Sequence, residues 1–365
     1  KENTLESYTS ITRIVLMVST LKIYKGSLLA ECHKVESFLG EGGFGFVTKC
    51  HNLVTDEMEA IKVNKNLPSV FHQARAEIAI LKRLQCLDPD TCNIVKWNGY
   101  FFDRDHICLN FELLDQSLYS YMVGRDFRGL SMAELRPILF QLATTLSHLR
   151  SMDIVHADLK PDNVMIVDSK KQPLKVKLID FGLARPVSAV EPGVCVQTTW
   201  YRAPEVMLHL PFDEAIDMWS LGLVAAELGQ PADDVLKSLD DLEHLMMDSD
   251  HQTEQRLLVD LIKRMLELDP EQRIKPLEVL QHPFFAQSPP QRAHICVQMS
   301  EEEPPTLSPQ CSGFRRRTAS LAAGLEDNNG EVDVQPNDNA DNDGWLRRLV
   351  RGITNTFHHY FPIYG

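Results

Sequence analysis

The feature that most constrains this chain is an ordered set of short blocks near its middle. The first is His156-Ala157-Asp158-Leu159-Lys160-Pro161-Asp162-Asn163, followed by Asp180-Phe181-Gly182 and Ala203-Pro204-Glu205. Around these blocks the hydrophobic pattern divides in two. Residues 34–115 carry short β-branched and aromatic runs broken by turns, at 34–39, 46–51, 58–63, 99–102 and 107–113. One helical stretch among them, 71–84, places Ile78, Leu81 and Leu84 on one face. From 116 onward the period is that of helices, over 135–151, 217–228 and 255–268. The pattern therefore predicts a small β-rich part with one helix, then a larger, mainly helical part.

Upstream of the central blocks, Gly40-Glu41-Gly42-Gly43-Phe44-Gly45-Phe46-Val47 reads G-x-G-x-x-G-x-V. Glycines let backbone amides approach phosphate oxygens with no Cβ in the way. Alone, the spacing suits a glycine-rich hairpin turn equally well. Ala60-Ile61-Lys62 then ends a strand pattern, and Lys62 would neutralise the α- and β-phosphates with Glu77 holding it in place. Taken singly, Lys62 reads better as an ordinary surface lysine and Glu77 as a solvated helix charge. Phosphoryl transfer asks for a carboxylate to orient the attacking hydroxyl, a cation on the moving phosphate and two oxygen ligands for Mg2+. Asp158, Lys160, Asn163 and Asp180 supply those four roles, in the order and spacing of the protein-kinase signature.

On these blocks, residues 34–286, about 70% of the chain, resemble a eukaryotic protein kinase domain. The resemblance is greatest to the homeodomain-interacting protein kinases, beside the dual-specificity tyrosine-regulated kinases. It rests further on His-Ala-Asp at 156–158, on Phe111-Glu112-Leu113-Leu114, on Trp200-Tyr201-Arg202-Ala203-Pro204-Glu205, and on the stretch 210–222. The resemblance implies an α+β, bilobed kinase fold: a five-stranded N-lobe at 34–114 with one main helix, and a mainly α-helical C-lobe at 115–286. It implies that Gly40, Glu41, Gly42, Gly43, Phe44, Gly45 and Val47 roof ATP. Ala60 and Met165 would sandwich the adenine, and Glu112 and Leu114 would bond its edge behind Phe111. Lys62 and Glu77 would form an ion pair, Asp158 would be the catalytic base, and Lys160 would touch the γ-phosphate. Asn163 and Asp180 would bind Mg2+. Leu81, His156 and Phe181 would stack on a base set by Asp217, Glu205 would pair with Arg273, and Arg202 would favour proline after the phosphoacceptor. The implied activity is that of a protein serine/threonine kinase using ATP and Mg2+ on protein substrates. The implied setting is a monomer with transcription-factor or signalling partners in the nucleus or cytoplasm.

Two departures leave a second reading open, that of a catalytically weak or inactive kinase-like scaffold. The relatives' activation-segment tyrosine falls on Cys195, which cannot take that phosphate, and Thr199 stands where they have arginine. Ala157 removes the usual arginine that would read an activation-loop phosphate, which fits a loop held by packing instead. The stretch 229–254 is also short and acidic where the relatives have tens of residues more. A small-molecule kinase of similar fold is disfavoured, because a segment ending in Ala-Pro-Glu serves to hold a peptide.

The flanks are read from composition. Residues 1–33 are expected to be a leader. Its apolar run at 14–18 is far too short to span a membrane and no small-residue cleavage pattern follows, so an extra strand or helix beside the main domain is expected. Residues 287–343, rich in Pro, Ser, Asn and Asp, read as a disordered linker. Residues 344–365 read as a short amphipathic segment with Trp345, Leu349, Ile353 and Phe357 near one face. A net charge of −14 argues against direct nucleic-acid binding, which needs clustered Lys and Arg. Eight cysteines with no CxxC are too sparse for a disulfide scaffold and point to a reducing, intracellular compartment.

Overall fold

The computed structural model describes residues 17–18, 21–190, 193–229 and 252–286. Most of the shortened acidic stretch, the 287–343 linker and the 344–365 segment lie outside the described residues. No helix among the described residues is long and apolar enough to cross a membrane.

Met17–Val18 (β1) and Leu21–Lys22 (β2) pair antiparallel, so the first apolar run supplies a strand. A six-stranded antiparallel sheet follows. Its strands are Leu28–Leu29 (β3), His33–Gly42 (β4), Gly45–Asn52 (β5), Met58–Asn64 (β6), Trp97–Asp103 (β7) and His106–Glu112 (β8), in the order β3-β4-β5-β6-β8-β7. Five of these are the expected strands. The sixth, β3, lies before residue 33. Ile23 and Leu29 are buried beside Val35, Phe46, Ile61 and Val63 on one face of the sheet, so the end of the supposed leader is part of the N-lobe. A two-residue strand is too short to show alternation, which is why the pattern did not reveal it.

Pro68–Leu84 (α1) covers the other face of the sheet. It starts three residues before the expected 71, because Pro68 sits in its first turn, where a missing N–H costs nothing. Ala74, Ile78, Leu81 and Leu84 are its buried stripe. After β9 (Gln116–Ser117) and α2 (Leu118–Val123) the chain is mainly helical. Met132–Ser151 (α3) opens on a capping box in which Ser131 and Glu134 each satisfy the other's backbone N–H. Strands β10 (Ile154–Val155), β11 (Val164–Asp168), β12 (Gln172–Leu178) and β13 (Arg185–Pro186) then form small ladders, β12-β11-β9 and β10-β13. Pro204–Met207 (α4), Ala215–Gly229 (α5), Gln252–Met265 (α6) and Pro276–Leu280 (α7) complete the described C-lobe. Helix α5 is apolar nearly all round, as a helix at the centre of a core must be.

One continuous core runs from α1 and the inner face of the sheet through α3 and α5 to α6. Both lobes therefore share apolar packing, and the chemically loaded loops lie at the seam between them.

Candidate active site

The roof comes from the β4–β5 hairpin. Gly40, Glu41 and Gly42 end β4, Gly43 and Phe44 make the turn, and Gly45 and Val47 open β5. Gly45 has a packing reason to be glycine: a Cβ there would stand 2.2 Å from the Val63 carbonyl oxygen. A Cβ at Gly40, Gly42 or Gly43 would meet open space, so those positions leave room above the hairpin. The next strands carry the register inward. Val47 faces Lys62 across β5–β6, and Ala60 faces Phe111 across β6–β8. Glu112 donates its backbone N–H to the Lys96 carbonyl (3.0 Å). Its carboxylate is held by Lys177 Nζ at 2.7 Å. Leu114 follows, buried, and Met165 on β11 lies opposite Lys177 of β12.

Lys62, Glu77 and Asp180 meet although they come from β6, α1 and the loop after β12. Lys62 Nζ donates to both Glu77 carboxylate oxygens at 3.0 Å and to Asp180 Oδ1 at 2.8 Å. Burial alone would lower the Lys62 pKa, but the Asp180 and Glu77 carboxylates outweigh it and push it up. Burial opposes ionisation of Asp180 too; the Lys62 ammonium overcomes it and holds the carboxyl down at about 2. Burial pushes the Glu77 carboxyl up, against the pull of Lys62. Asp180 takes a left-handed φ of +57°, which aspartate tolerates.

The second cluster forms around Asp158, between β10 and β11. Asp158 Oδ1 accepts from the Thr198 hydroxyl (2.7 Å) and the Thr198 backbone N–H (3.0 Å). Its Oδ2 accepts from Asn163 Nδ2 (3.0 Å) and lies 3.0 Å from Lys160 Nζ. Lys160 also donates to Thr198 Oγ1 at 2.8 Å. Behind them, Asp217 accepts from the backbone N–H groups of His156 (2.7 Å) and Ala157 (2.9 Å). This grip holds Ala157 at φ +63°, a conformation that costs a Cβ-bearing residue roughly 1–2 kcal/mol. His156 Nδ1 accepts from the Asp158 backbone N–H (3.2 Å), so Nε2 carries the proton donated to the Ile179 carbonyl (3.0 Å). The His156 ring meets Phe181 edge-on at 5.1 Å, and Leu81 is buried in the same core.

Nδ2 of Asn163 is fixed on Asp158, which turns its carbonyl oxygen the other way, and 41% of the Asp180 side chain remains exposed. Two such hard oxygen donors suit Mg2+, which keeps the rest of its shell for water and phosphate oxygens.

The segment that follows is held by Gln197, by Arg202 and by a Glu205–Arg273 ion pair. Gln197, 3% exposed at φ +66°, donates its backbone N–H to the Ala157 carbonyl (2.9 Å). Its side chain bonds the Ile216 carbonyl, Ser220 Oγ and the Ala203 N–H. Arg202 donates to the carbonyls of Val196 (2.9 Å) and Gln197 (3.0 Å). Glu205 and Arg273 pair at 2.6 Å, both buried, and Cys195 is exposed. Thr198, Gln197 and Lys177 were not singled out by sequence. Most of their partners lie far away along the chain, and Gln197 and Thr198 fall between Cys195 and the 200–205 block without belonging to either.

This arrangement of a β-rich and a helical lobe, with a lysine–carboxylate pair above and an aspartate–lysine–asparagine cluster below, defines a class. The profile of the protein kinase domain matches residues 33–285, and the chain belongs to that family. Homeodomain-interacting protein kinase 2 of Mus musculus is 34% identical over 355 residues, covering 75% of this chain and 30% of the relative. Homeodomain-interacting protein kinase 1 of Caenorhabditis elegans is 45% identical over 196 residues, 54% of this chain and 23% of the relative. The human homeodomain-interacting protein kinase 4 is 40% identical over 202 residues, 54% of this chain and 32% of the relative. The chain thus spans about a third or less of the length of these curated relatives. A crystal structure of a kinase domain is also similar, with 27% identity and a TM-score of 0.64, covering 73% of this chain and 98% of that one.

Proposed function

We propose that the protein transfers the γ-phosphate of ATP to Ser and Thr hydroxyls of protein substrates. The observation that carries this reading is the Asp158 cluster, a carboxylate oriented from three sides with a lysine beside it. In this reading Asp158 takes the substrate hydroxyl's hydrogen bond and aims its oxygen at the phosphorus. Lys160 neutralises charge on the moving phosphoryl group, and Lys62, held by Glu77, does so on the α- and β-phosphates. The β4–β5 hairpin covers the phosphates, with Ala60, Met165, Phe111, Glu112 and Leu114 around the adenine. Asn163 and Asp180 would hold Mg2+, whose charge offsets that of the phosphate oxygens. The gain comes from positioning and preset charge, since the transition state is loose.

The proline preference has a support of its own. Arg202 occupies the Val196 and Gln197 carbonyls, so a substrate N–H beside them finds no acceptor. Proline has no N–H to leave unpaired. The relatives' names state an interaction with homeodomains, so a homeodomain transcription factor is the partner class to try, with a nuclear or cytoplasmic setting.

The test is transfer of labelled γ-phosphate from Mg-ATP to paired peptides that differ only in Ser-Pro against Ser-Ala. Asp180→Asn serves as the control. Transfer by the parent, none by the control and a preference for Ser-Pro would support the whole reading. No transfer by folded protein would move the weight to a nucleotide-binding scaffold, the reading that Cys195 and the short 229–254 stretch favour.

A further inference from the structure

A second cluster of chemically active side chains lies on the N-lobe, on the far side of the sheet from α1. Cys32 occupies the tight connection between β3 and β4, where Ala30 and Glu31 both take positive φ. It is half-buried, and its Sγ lies 3.2 Å from Nδ1 of His33. The imidazole is fixed. It is 7% exposed, it stacks on Phe101 at 4.6 Å with the planes 7° apart, and its Nε2 lies 3.3 Å from Glu59 Oε2. Glu59 is 4% exposed and receives Asn52 Nδ2 at 3.2 Å on each oxygen. Asn110 Nδ2 stands 3.5 Å from the same His33 nitrogen.

A carboxylate this deeply buried needs a cation or further hydrogen bonds. Among the described residues its ion-pair partner is His33. An Nε2–H directed at Glu59 leaves Nδ1 facing the sulfur, placed to take the thiol proton. The order sulfur, imidazole, carboxylate is that of an activated nucleophile with its base and the group that orients the base. We infer that Cys32 is a modification site, a thiol made nucleophilic by His33 and Glu59 and open to small electrophiles and low-molecular-weight disulfides.

With oxidised glutathione the step balances. The Cys32 thiol proton moves to His33 Nδ1, and the thiolate attacks one sulfur of the disulfide. The old S–S bond breaks as the new one forms, and the departing thiolate takes the proton from Nδ1 to leave as glutathione. The remaining described cysteines supply the contrast. Cys50 and Cys108 are buried, and burial pushes their thiols up to about 11 and about 12. Cys92 is buried and pushed up as well. Cys86 and Cys195 are more exposed than Cys32, but Cys86 bonds only the Arg83 carbonyl and no imidazole is bonded to Cys195 among the described residues. By exposure alone they would react first.

The inference is independent of phosphoryl transfer, and its test uses the reduced full chain. Brief treatment with iodoacetamide, and separately with oxidised glutathione, is followed by peptide mass spectrometry of Cys32, Cys86 and Cys195. The expected result is that Cys32 reacts several-fold faster than the other two with both reagents. His33→Gln should slow Cys32 about tenfold and leave the other two unchanged. Glu59→Gln should slow it in the same direction. If a variant exposes Cys50 and Cys108 to label, it has unfolded, and the ranking within the parent decides. A Cys32 no faster than Cys86 and Cys195 in the parent, or one unslowed in folded His33→Gln, overturns the assignment.

Discussion

A single hydroxyl, that of Thr198, joins the two charged groups beneath the seam: it donates to Asp158 and accepts from Lys160. Removing it leaves the direct Lys160–Asp158 pair and the Thr198 N–H on Asp158, but takes one hydrogen bond from each charged group and frees both to shift. Thr198→Val is therefore expected to lower kcat roughly 10–100-fold, a loss of the size that follows from misplacing a catalytic group by about an ångström. Thr198→Ser should restore most of it. Steady-state rates at saturating ATP and peptide check this, and a Val variant as fast as the parent would show that Asp158 is oriented without it. The Lys62–Asp180 pair sets a second expectation, in pH. Asp180 titrates lower in the folded state than unfolded, so its contribution is present above the unfolded value near 4 and is lost as pH falls through about 2. Lys62 titrates higher when folded, so its contribution holds below about pH 10.4 and is lost only as pH rises beyond that. The stability difference between the parent and Asp180→Asn should be flat between about pH 5 and 9 and shrink below about pH 4. Denaturant midpoints measured across pH would show it.

Elements are held to one another by contacts that can be tested one at a time. Gly45→Ala drives a Cβ into the Val63 carbonyl and must push β5 away from β6, costing about 1–3 kcal/mol. Gly42→Ala, in open space, should stay within about 0.5 kcal/mol of the parent by chemical denaturation. Lys177 on β12 reaches Glu112 at the end of β8 and Asp90 in the loop after α1, each at 2.7 Å. Replacing it with Met leaves the half-buried Glu112 carboxylate with the Lys96 N–H but without a counter-charge, and should cost up to roughly 3 kcal/mol, Asp90 adding little because its side chain is 76% exposed. That clamp also marks where reading the sequence stops. The hairpin glycines, Lys62, the 156–163 loop and Asp180-Phe181-Gly182 are legible because each function sits in a run of a few residues. Lys177 is 65 residues from Glu112, and nothing in its own neighbourhood sets it apart from Lys175. Gln197 is not legible, since its three side-chain partners come from α5 and the approach to α4. β3 was missed because two residues have no period, whereas α1 could have been started at Pro68, whose position in the first turn is a local signal.

Over the whole molecule, a buried ion pair adds to the Gln197 bonds that anchor the activation segment to the C-lobe. Arg273, with none of its side chain exposed, donates to both oxygens of Glu205 at 2.6 and 3.1 Å. It also reaches the carbonyls of Ala215 and Glu267 and lies over the Trp219 ring at 5.2 Å. The start of α4, the start of α5 and the loop after α6 therefore converge on one guanidinium. The consequence is asymmetric. Arg273→Met leaves Glu205 buried without a counter-charge and should cost about 3–5 kcal/mol. Arg273→Met with Glu205→Leu removes both charges and should recover much of that loss, because an apolar pair of similar volume has no charge to desolvate. Thermal and denaturant unfolding of the single and double variants measure the recovery. Equal losses in both would mean that Arg273 acts through its carbonyl bonds and the Trp219 face, not through Glu205. If the segment's geometry depends on the pair, peptide KM should stay raised in the double variant even where stability returns, since no charge then fixes the turn that follows Arg202.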